Sequence, residues 1–303
     1  MTPVPAVIAL YGPTASGKTA VAGRLRELTG AEVVSADSAA LYAGLPILTA
    51  APSYPARLVG VLPLTHEISV GEFQRRAHTA IDEITAGGRP ALVVGGTGLY
   101  LRAALSDLEL PPPPAAGARR QWEETYDRLG PDAAHALLAV RDAAAAARIH
   151  ANDRRRVVRA LELASAGWSL APAVDRLWGA ETRLPTLLVT LDAPTDVLDA
   201  RIAARTLAMA CAGAADEARR AWERPLSATA RKVLGLESFA TLPEDEAVSQ
   251  VAQATRRLAR YQRKWLRRLP AAASLSADRP PEETAAEIVA LAGAGKRLPG
   301  RRR

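Results

Sequence analysis

Gly12-Pro13-Thr14-Ala15-Ser16-Gly17-Lys18-Thr19 has the spacing G-x-x-x-x-G-K-[ST], and the apolar run 6–10 leads straight into it. Backbone N–H groups in such a loop curl around phosphate oxygens, and the helix that follows adds the positive end of its dipole. Lys18 supplies a point charge, and the Thr19 hydroxyl can ligate Mg2+. The pattern reports a phosphate group without saying which molecule carries it.

Three other places put reactive side chains where the same ligand can meet them. Asp37 closes the apolar run 31–36, Thr97 sits in the exit Gly95-Gly96-Thr97-Gly98 of another, and Arg201 and Arg205 stand four apart on a helix after a third. In an open parallel sheet the carboxyl ends of the strands line the ligand crevice. A carboxylate there can bind Mg2+ or accept a proton; a helix cap explains Asp37 equally well. The glycines of 95–98 let backbone approach a ligand, although a tight turn explains them when taken alone. An arginine at 201 or 205 can clamp a diphosphate, and composition does not separate that from a surface role.

Two helices carry the basic residues. Along 255–268, Leu258, Tyr261 and Trp265 share one side, and Arg256, Arg260, Arg263 and Arg267 share the opposite one with hardly an acid among them. Arginines without partners suit a phosphate backbone, and aromatics beside them can stack on bases; the alternative packs the aromatics on the core and leaves the arginines in water. Along 152–167, Val157, Leu161 and Ala164 form one stripe, with Arg155, Arg159 and Glu162 facing away. Internal ion pairing on a solvated face is the simpler reading there.

The elements that must position these residues follow from the apolar pattern. Strands are predicted near 7–10, 31–38, 90–98 and 185–194, with helices at 18–28 and 69–88 between them. Ser69 and Glu72 have capping-box spacing. Alternating strands and helices predict an α/β fold, a P-loop-containing doubly wound parallel sheet. After the prolines of 110–117 the pattern is helical to about 180, so a helical insertion at 112–183 is expected within a core of 1–111 and 184–294. The basic tail 295–303 is expected to be disordered.

A net charge of +7 over 303 residues favours a polyanionic partner such as nucleic acid, although charge alone fits any basic protein. Cys211 is the only cysteine, and His66, His78, His135 and His150 are scattered. Intrachain disulfides and cysteine-based zinc sites are therefore excluded. No run has the length of a membrane span and no basic leader precedes the loop, so a cytoplasmic enzyme without a membrane partner is expected.

Taken in order, "GPTASGKT", "SADS…LYAGL", "SVGEF", "GGTGLYLRA", "ARIHANDRRRVVRALE", "RIAARTLAM…G", "LGLES" and "TRRLARYQRKWLR" resemble the tRNA dimethylallyltransferase (tRNA isopentenyltransferase) family over roughly residues 5–268. The resemblance implies that dimethylallyl diphosphate and tRNA give N6-dimethylallyladenosine 3′ of the anticodon, plus pyrophosphate, with Mg2+ as cofactor. The loop Gly12–Thr19 would then hold the prenyl diphosphate, with Thr19 the metal ligand. Asp37 would accept the proton of the adenine amine. Thr97 and Arg205 match positions that contact the diphosphate. Asp37, Ser38, Ala39, Ala40, Thr97, Arg119, Arg155, Arg156, Arg159, Lys232, Gly235, Arg260, Gln262, Arg263, Trp265 and Arg267 match positions that face tRNA. The insertion would grip the anticodon stem-loop, and a monomer is expected. The chain departs from the family pattern at Leu48 and Ala51, where a glycine and a lysine are usual, at Leu236 and Tyr261, and in a shortened segment 60–73. Other readings remain open: prenyl transfer to free adenine nucleotides, a P-loop kinase or ATPase with Asp37 on Mg2+, or an RNA-binding protein without turnover. The helical insertion and the arginine stripes count against a small acceptor.

Overall fold

The computed structural model describes residues 5–111, 117–171, 176–296 and 298. Its strands are β1 (Val7–Tyr11), β2 (Glu32–Ser35), β3 (Ala56–Arg57), β4 (Ala91–Gly95), β5 (Thr186–Asp192) and β6 (Ala273–Ser276). All pair in parallel, in the order β3-β2-β4-β1-β5-β6. β1 lies between β4 and β5, and all five of its residues are buried. A strand covered on both faces must be apolar throughout rather than alternately, which is why "VIALY" reads as one continuous run. β3 has only two residues and β6 is the half-exposed "ASLS". Neither has an apolar run, and the sequence pattern misses both.

The helices are α1 (Lys18–Thr29), α2 (Val70–Ala86), α3 (Gly98–Leu105), α4 (Ala118–Leu129), α5 (Pro131–Arg141), α6 (Ala143–Ala146), α7 (Arg154–Ser165), α8 (Thr195–Cys211), α9 (Ala214–Trp222), α10 (Leu236–Thr241), α11 (Glu244–Leu266) and α12 (Pro281–Gly293). α1 and α12 bury Val21, Leu25 and Ile288 against Ile8, Leu10 and Leu191 of the sheet. Each such side chain contributes about 1.5–3 kcal/mol when fully buried. α2 starts as its spacing predicts, with the Ser69 hydroxyl accepting from Glu72 N at 3.1 Å. No helix among the described residues is long and apolar enough to cross a membrane.

The chain divides into two compact units, residues 1–108 with 177–303, and residues 109–176. The first unit holds the whole sheet. It also claims 177–183, which the sequence pattern places in the insertion. Arg102 and the Ser106 hydroxyl donate to the Glu181 carbonyl at 3.3 and 3.1 Å, and Arg183 pairs with Asp82 at 2.6 Å. The second unit is helical, α4 to α7 around Tyr126, Leu138, Val157 and Leu161. The expectation for α7 needs correction. Glu162 is 4% exposed and pairs with half-buried Arg159, so that pair belongs to the packed side rather than to a solvated face. Asp153 caps the helix by accepting from Arg156 N at 3.2 Å. The tail is also not wholly free, since Leu298 N donates to Thr186 O at 2.7 Å. The prolines from 112 onward and residues 299–303 lie outside the described residues.

Candidate active site

β1 ends at Tyr11 and α1 begins at Lys18, so the loop between them fills the exit of the central strand. A Cβ on Gly12 would stand 2.6 Å from the Leu191 carbonyl, which fixes glycine there. Ala15 and Gly17 have φ of 65° and 77°. The left-handed conformation costs about 1–2 kcal/mol for alanine, so the surroundings must hold it in place. They do so through α11. Thr14 N donates to Gln262 Oε1 at 2.7 Å, and Tyr11 Oη donates to the Gln262 carbonyl at 3.0 Å.

Lys18, Asp37 and Arg205 meet beside this loop. Lys18 Nζ donates to the Pro13 carbonyl at 2.7 Å, and Arg205 Nη1 donates to Thr14 Oγ1 at 3.1 Å. Desolvation pulls the Lys18 ammonium down from 10.5 to about 8; Asp37 opposes that shift and Arg205 adds to it. The Arg205 guanidinium is also lowered by burial, with Asp37 opposing. One carboxylate thus acts on both cations. Asp37 caps no helix: its Oδ1 accepts from Ala39 N at 2.9 Å, closing a local turn, and the residue lines the cavity. Of the two α8 arginines, Arg205 reaches the loop. Arg201 is tied to the Ala277 carbonyl at 2.9 Å and to Asp278 at 3.3 Å.

These groups open onto one cavity of about 530 Å³. Thr14, Ala15, Gly17, Lys18, Thr19, Asp37, Ala39, Ala40, Arg205 and Gln262 line it, and so do the apolar side chains of Leu48, Ile202, Met209, Val233, Val251 and Leu258. Phosphate-binding groups and an apolar wall therefore share one space. Tyr54, a wall residue that sequence reasoning did not single out, donates to the Thr19 carbonyl at 2.9 Å.

The glycines after β4 make room for neighbouring elements. A Cβ on Gly96 would stand 2.5 Å from Gln262 Nε2, one on Gly98 would run into the Trp265 ring, and one on Gly95 would collide with the Ala36 backbone. Thr97 is half-buried at the start of α3 and makes no side-chain cap bond, while Gly95 and Gly96 line the cavity.

α11 also corrects its sequence reading. Its buried face is Ala247, Val251, Ala252, Thr255, Ala259 and Gln262. The proposed aromatic side is split: Leu258 and Tyr261 are 37% and 57% exposed, whereas Trp265 packs on Gly98 and stacks on Trp178 at 4.6 Å. Nor are the four arginines all without partners. Arg263 pairs with Asp192 at 2.9 Å and donates to Thr195 at 2.7 Å, and Arg256 lies 3.7 Å from Asp199. Arg260 and Arg267 are exposed, as are Arg257, Lys264 and Arg268. The small residues Ala247, Thr255 and Ala259 at helical spacing are the signal that would have found Gln262.

Lys232 is exposed beside the cavity-lining Val233, and Gly235 begins α10 with φ of 90°. Ser38 lies in the Asp37 turn. In the second unit Arg155 and Arg156 are exposed, Arg156 lies 3.5 Å from Asp153, and Arg119 is paired with Glu123 at 3.2 Å.

Comparison with known proteins places the whole chain. A family model described as IPP transferase matches residues 40–269. A tRNA dimethylallyltransferase from Kineococcus radiotolerans is 41% identical over 285 residues, 87% of this chain and 88% of its own. One from Streptomyces coelicolor is 39% identical over 281 residues, 88% of this chain and 89% of its own. The solved full-length tRNA isopentenylpyrophosphate transferase from Bacillus halodurans superposes with a TM-score of 0.68 at 29% identity, covering 96% of this chain and 97% of that one. The family model spans most of the chain and the relatives match along nearly its whole length: the chain belongs to the IPP transferase family, that of the tRNA dimethylallyltransferases.

Proposed function

We propose that this chain transfers the dimethylallyl group of dimethylallyl diphosphate to N6 of the adenosine 3′ of the tRNA anticodon, releasing diphosphate. The observation that carries the reading is the single cavity in which Lys18, Thr19, Arg205 and Asp37 face an apolar wall. The loop N–H groups, Lys18 and Arg205 bind the diphosphate and stabilise the charge it gains as the allylic C–O bond breaks. The exocyclic amine is a weak nucleophile, because its lone pair is delocalised into the ring. Asp37 takes its proton as the new C–N bond forms. One chain carries the complete cavity, which supports action as a monomer.

The Thr19 hydroxyl is a hard oxygen donor and fits Mg2+. No group of three or more His, Cys, Asp or Glu able to hold an ion occurs among the described residues, so such a cation would take its other ligands from diphosphate and water. When bound, it neutralises charge on the leaving group.

The test is to incubate the protein with Mg2+, dimethylallyl diphosphate and unmodified tRNA whose anticodon is followed by adenosine. Mass spectrometry of the digest should show adenosine carrying one added C5H8. ATP hydrolysis with no such product would support the kinase reading instead.

Two further outcomes are expected. Lys18 titrates near 8 in the free enzyme, and the diphosphate binds its charged form. kcat/KM for the donor should therefore fall as pH rises through about 8. kcat should hold to higher pH, because bound diphosphate favours the ammonium. A profile of kcat/KM that stays flat beyond pH 9 would remove Lys18 as a charged donor ligand. On α11, exposed Arg260 supports a phosphate contact, so Arg260→Ala should weaken tRNA binding and reduce its salt slope by about one. Arg263→Ala, which breaks a pair inside the protein, should leave the slope in place.

A further inference from the structure

Glu217 is 3% exposed on α9, and both of its carboxylate oxygens are committed to a turn some 170 residues earlier in the chain. Oε2 accepts from Ile47 N at 3.0 Å and Oε1 from Leu48 N at 2.8 Å. The turn is helical in character, with Thr49 N donating to Leu45 O and Ala51 N to Pro46 O, both at 3.0 Å. Its first N–H groups have no partner within the turn, and a buried carboxylate is a strong acceptor for them. The turn then supplies Leu48, Thr49, Ala50, Ala51 and Pro52 to the cavity wall.

α11 measures how far that wall is from the phosphate loop. Gln262 touches the loop, and Leu258, Thr255 and Val251 line the cavity in succession away from it. Val251 is 11 residues from Gln262, roughly 16 Å at about 1.5 Å per residue. Leu48 and Val251 approach the same point, 3.3 and 3.4 Å from a Cβ on Gly235. An extended dimethylallyl diphosphate spans roughly 11 Å, about eight bonds. A donor seated in the loop therefore ends short of Leu48. The acceptor is what remains to meet this part of the wall.

We propose that Glu217 is a positioning residue for the acceptor: it fixes the Ile47–Leu48 turn so that Leu48 forms the apolar surface on which the target adenine rests. This inference depends on the proposed function only in that an adenine enters the cavity.

The test separates base seating from chemistry. An anticodon stem-loop with 2-aminopurine at the target position should gain fluorescence on binding the full-length protein, because the base leaves its stack. In Glu217→Gln, which keeps one acceptor oxygen, and in Leu48→Ala, that gain should fall at least threefold. Stem-loop affinity and the affinity for a non-hydrolysable thiolodiphosphate donor analogue should stay within about twofold. kcat/KM for tRNA should drop about tenfold. Wild-type fluorescence gain without prenylated product would refute the proposed reaction and leave the seating proposal standing on its own variants. No gain in wild type, an unchanged gain in both variants, or donor affinity lost in step with the gain would each overturn it. Thermal melting of both variants identifies a fold defect, and Leu48→Val is the milder substitution on which the same readouts are then made.

Discussion

Asp37→Asn should lower the rate of prenyl transfer by a factor of about 10² to 10⁴, the usual contribution of a positioned general base, while leaving tRNA affinity nearly unchanged. Asparagine is the informative substitution because of what Asp37 does locally. Its Oδ1 accepts from Ala39 N at 2.9 Å, and its own N–H lies 3.3 Å from Ser35 Oγ. An amide oxygen can keep that turn, so Ala39 and Ala40 stay in the cavity wall while the carboxylate's basicity and charge are lost. Asp37→Ala removes the turn contact as well, and the difference between the two variants measures the turn alone. The carboxylate also opposes the lowering of Lys18 and Arg205, so the amide leaves both cations less well compensated. In Asp37→Asn the Lys18 limb of the donor kcat/KM profile should therefore move to lower pH. Single-turnover rates with saturating donor and tRNA are the measurement. A rate within threefold of wild type would remove Asp37 as the base and leave it as the residue that closes this turn.

What was legible in the sequence is what depends on local pattern. The loop Gly12–Thr19 could be placed because strand, loop and helix are contiguous, and Asp37 because a buried run ends on it. Partnerships across the fold were not legible. Gln262 bonds to Thr14 at a separation of 248 residues, and nothing near either residue announces the other. The same holds for Glu217 and the turn at Ile47 and Leu48. The α11 stripe was misread for a related reason. Helical spacing shows which residues share a side, but Asp192 and Asp199, which claim Arg263 and Arg256, come from β5 and α8. At Gly95, Gly96 and Gly98 the sequence shows that space is needed, not what fills it. Gln262, Trp265 and Ala36 fill it.

Arg205→Ala should reduce kcat by about 10² to 10³, comparable to removing one preorganised donor from a developing anion. The side chain already touches the loop, with Nη1 donating to Thr14 Oγ1 at 3.1 Å, and Thr14 is held from its other side by Gln262 at 2.7 Å. Arg205 is therefore poised before any ligand arrives, and little reorganisation is needed as negative charge builds on the departing oxygen. Its charge also persists where that of Lys18 does not. Both cations are lowered by desolvation, which brings Lys18 down to about 8, whereas a guanidinium starts far above an ammonium. Removing Arg205 lifts one of the influences that lower Lys18, so in Arg205→Ala the Lys18 limb of the donor kcat/KM profile should move to higher pH. Arg205→Lys restores a charge but not the planar fork that can bond the loop and the diphosphate together, so it should recover only a minor part of the loss. Comparing single-turnover rates with the affinity for a thiolodiphosphate analogue decides the role. A rate loss much larger than the affinity loss places Arg205 on the transition state, whereas equal losses would make it a ground-state ligand of the diphosphate and nothing more.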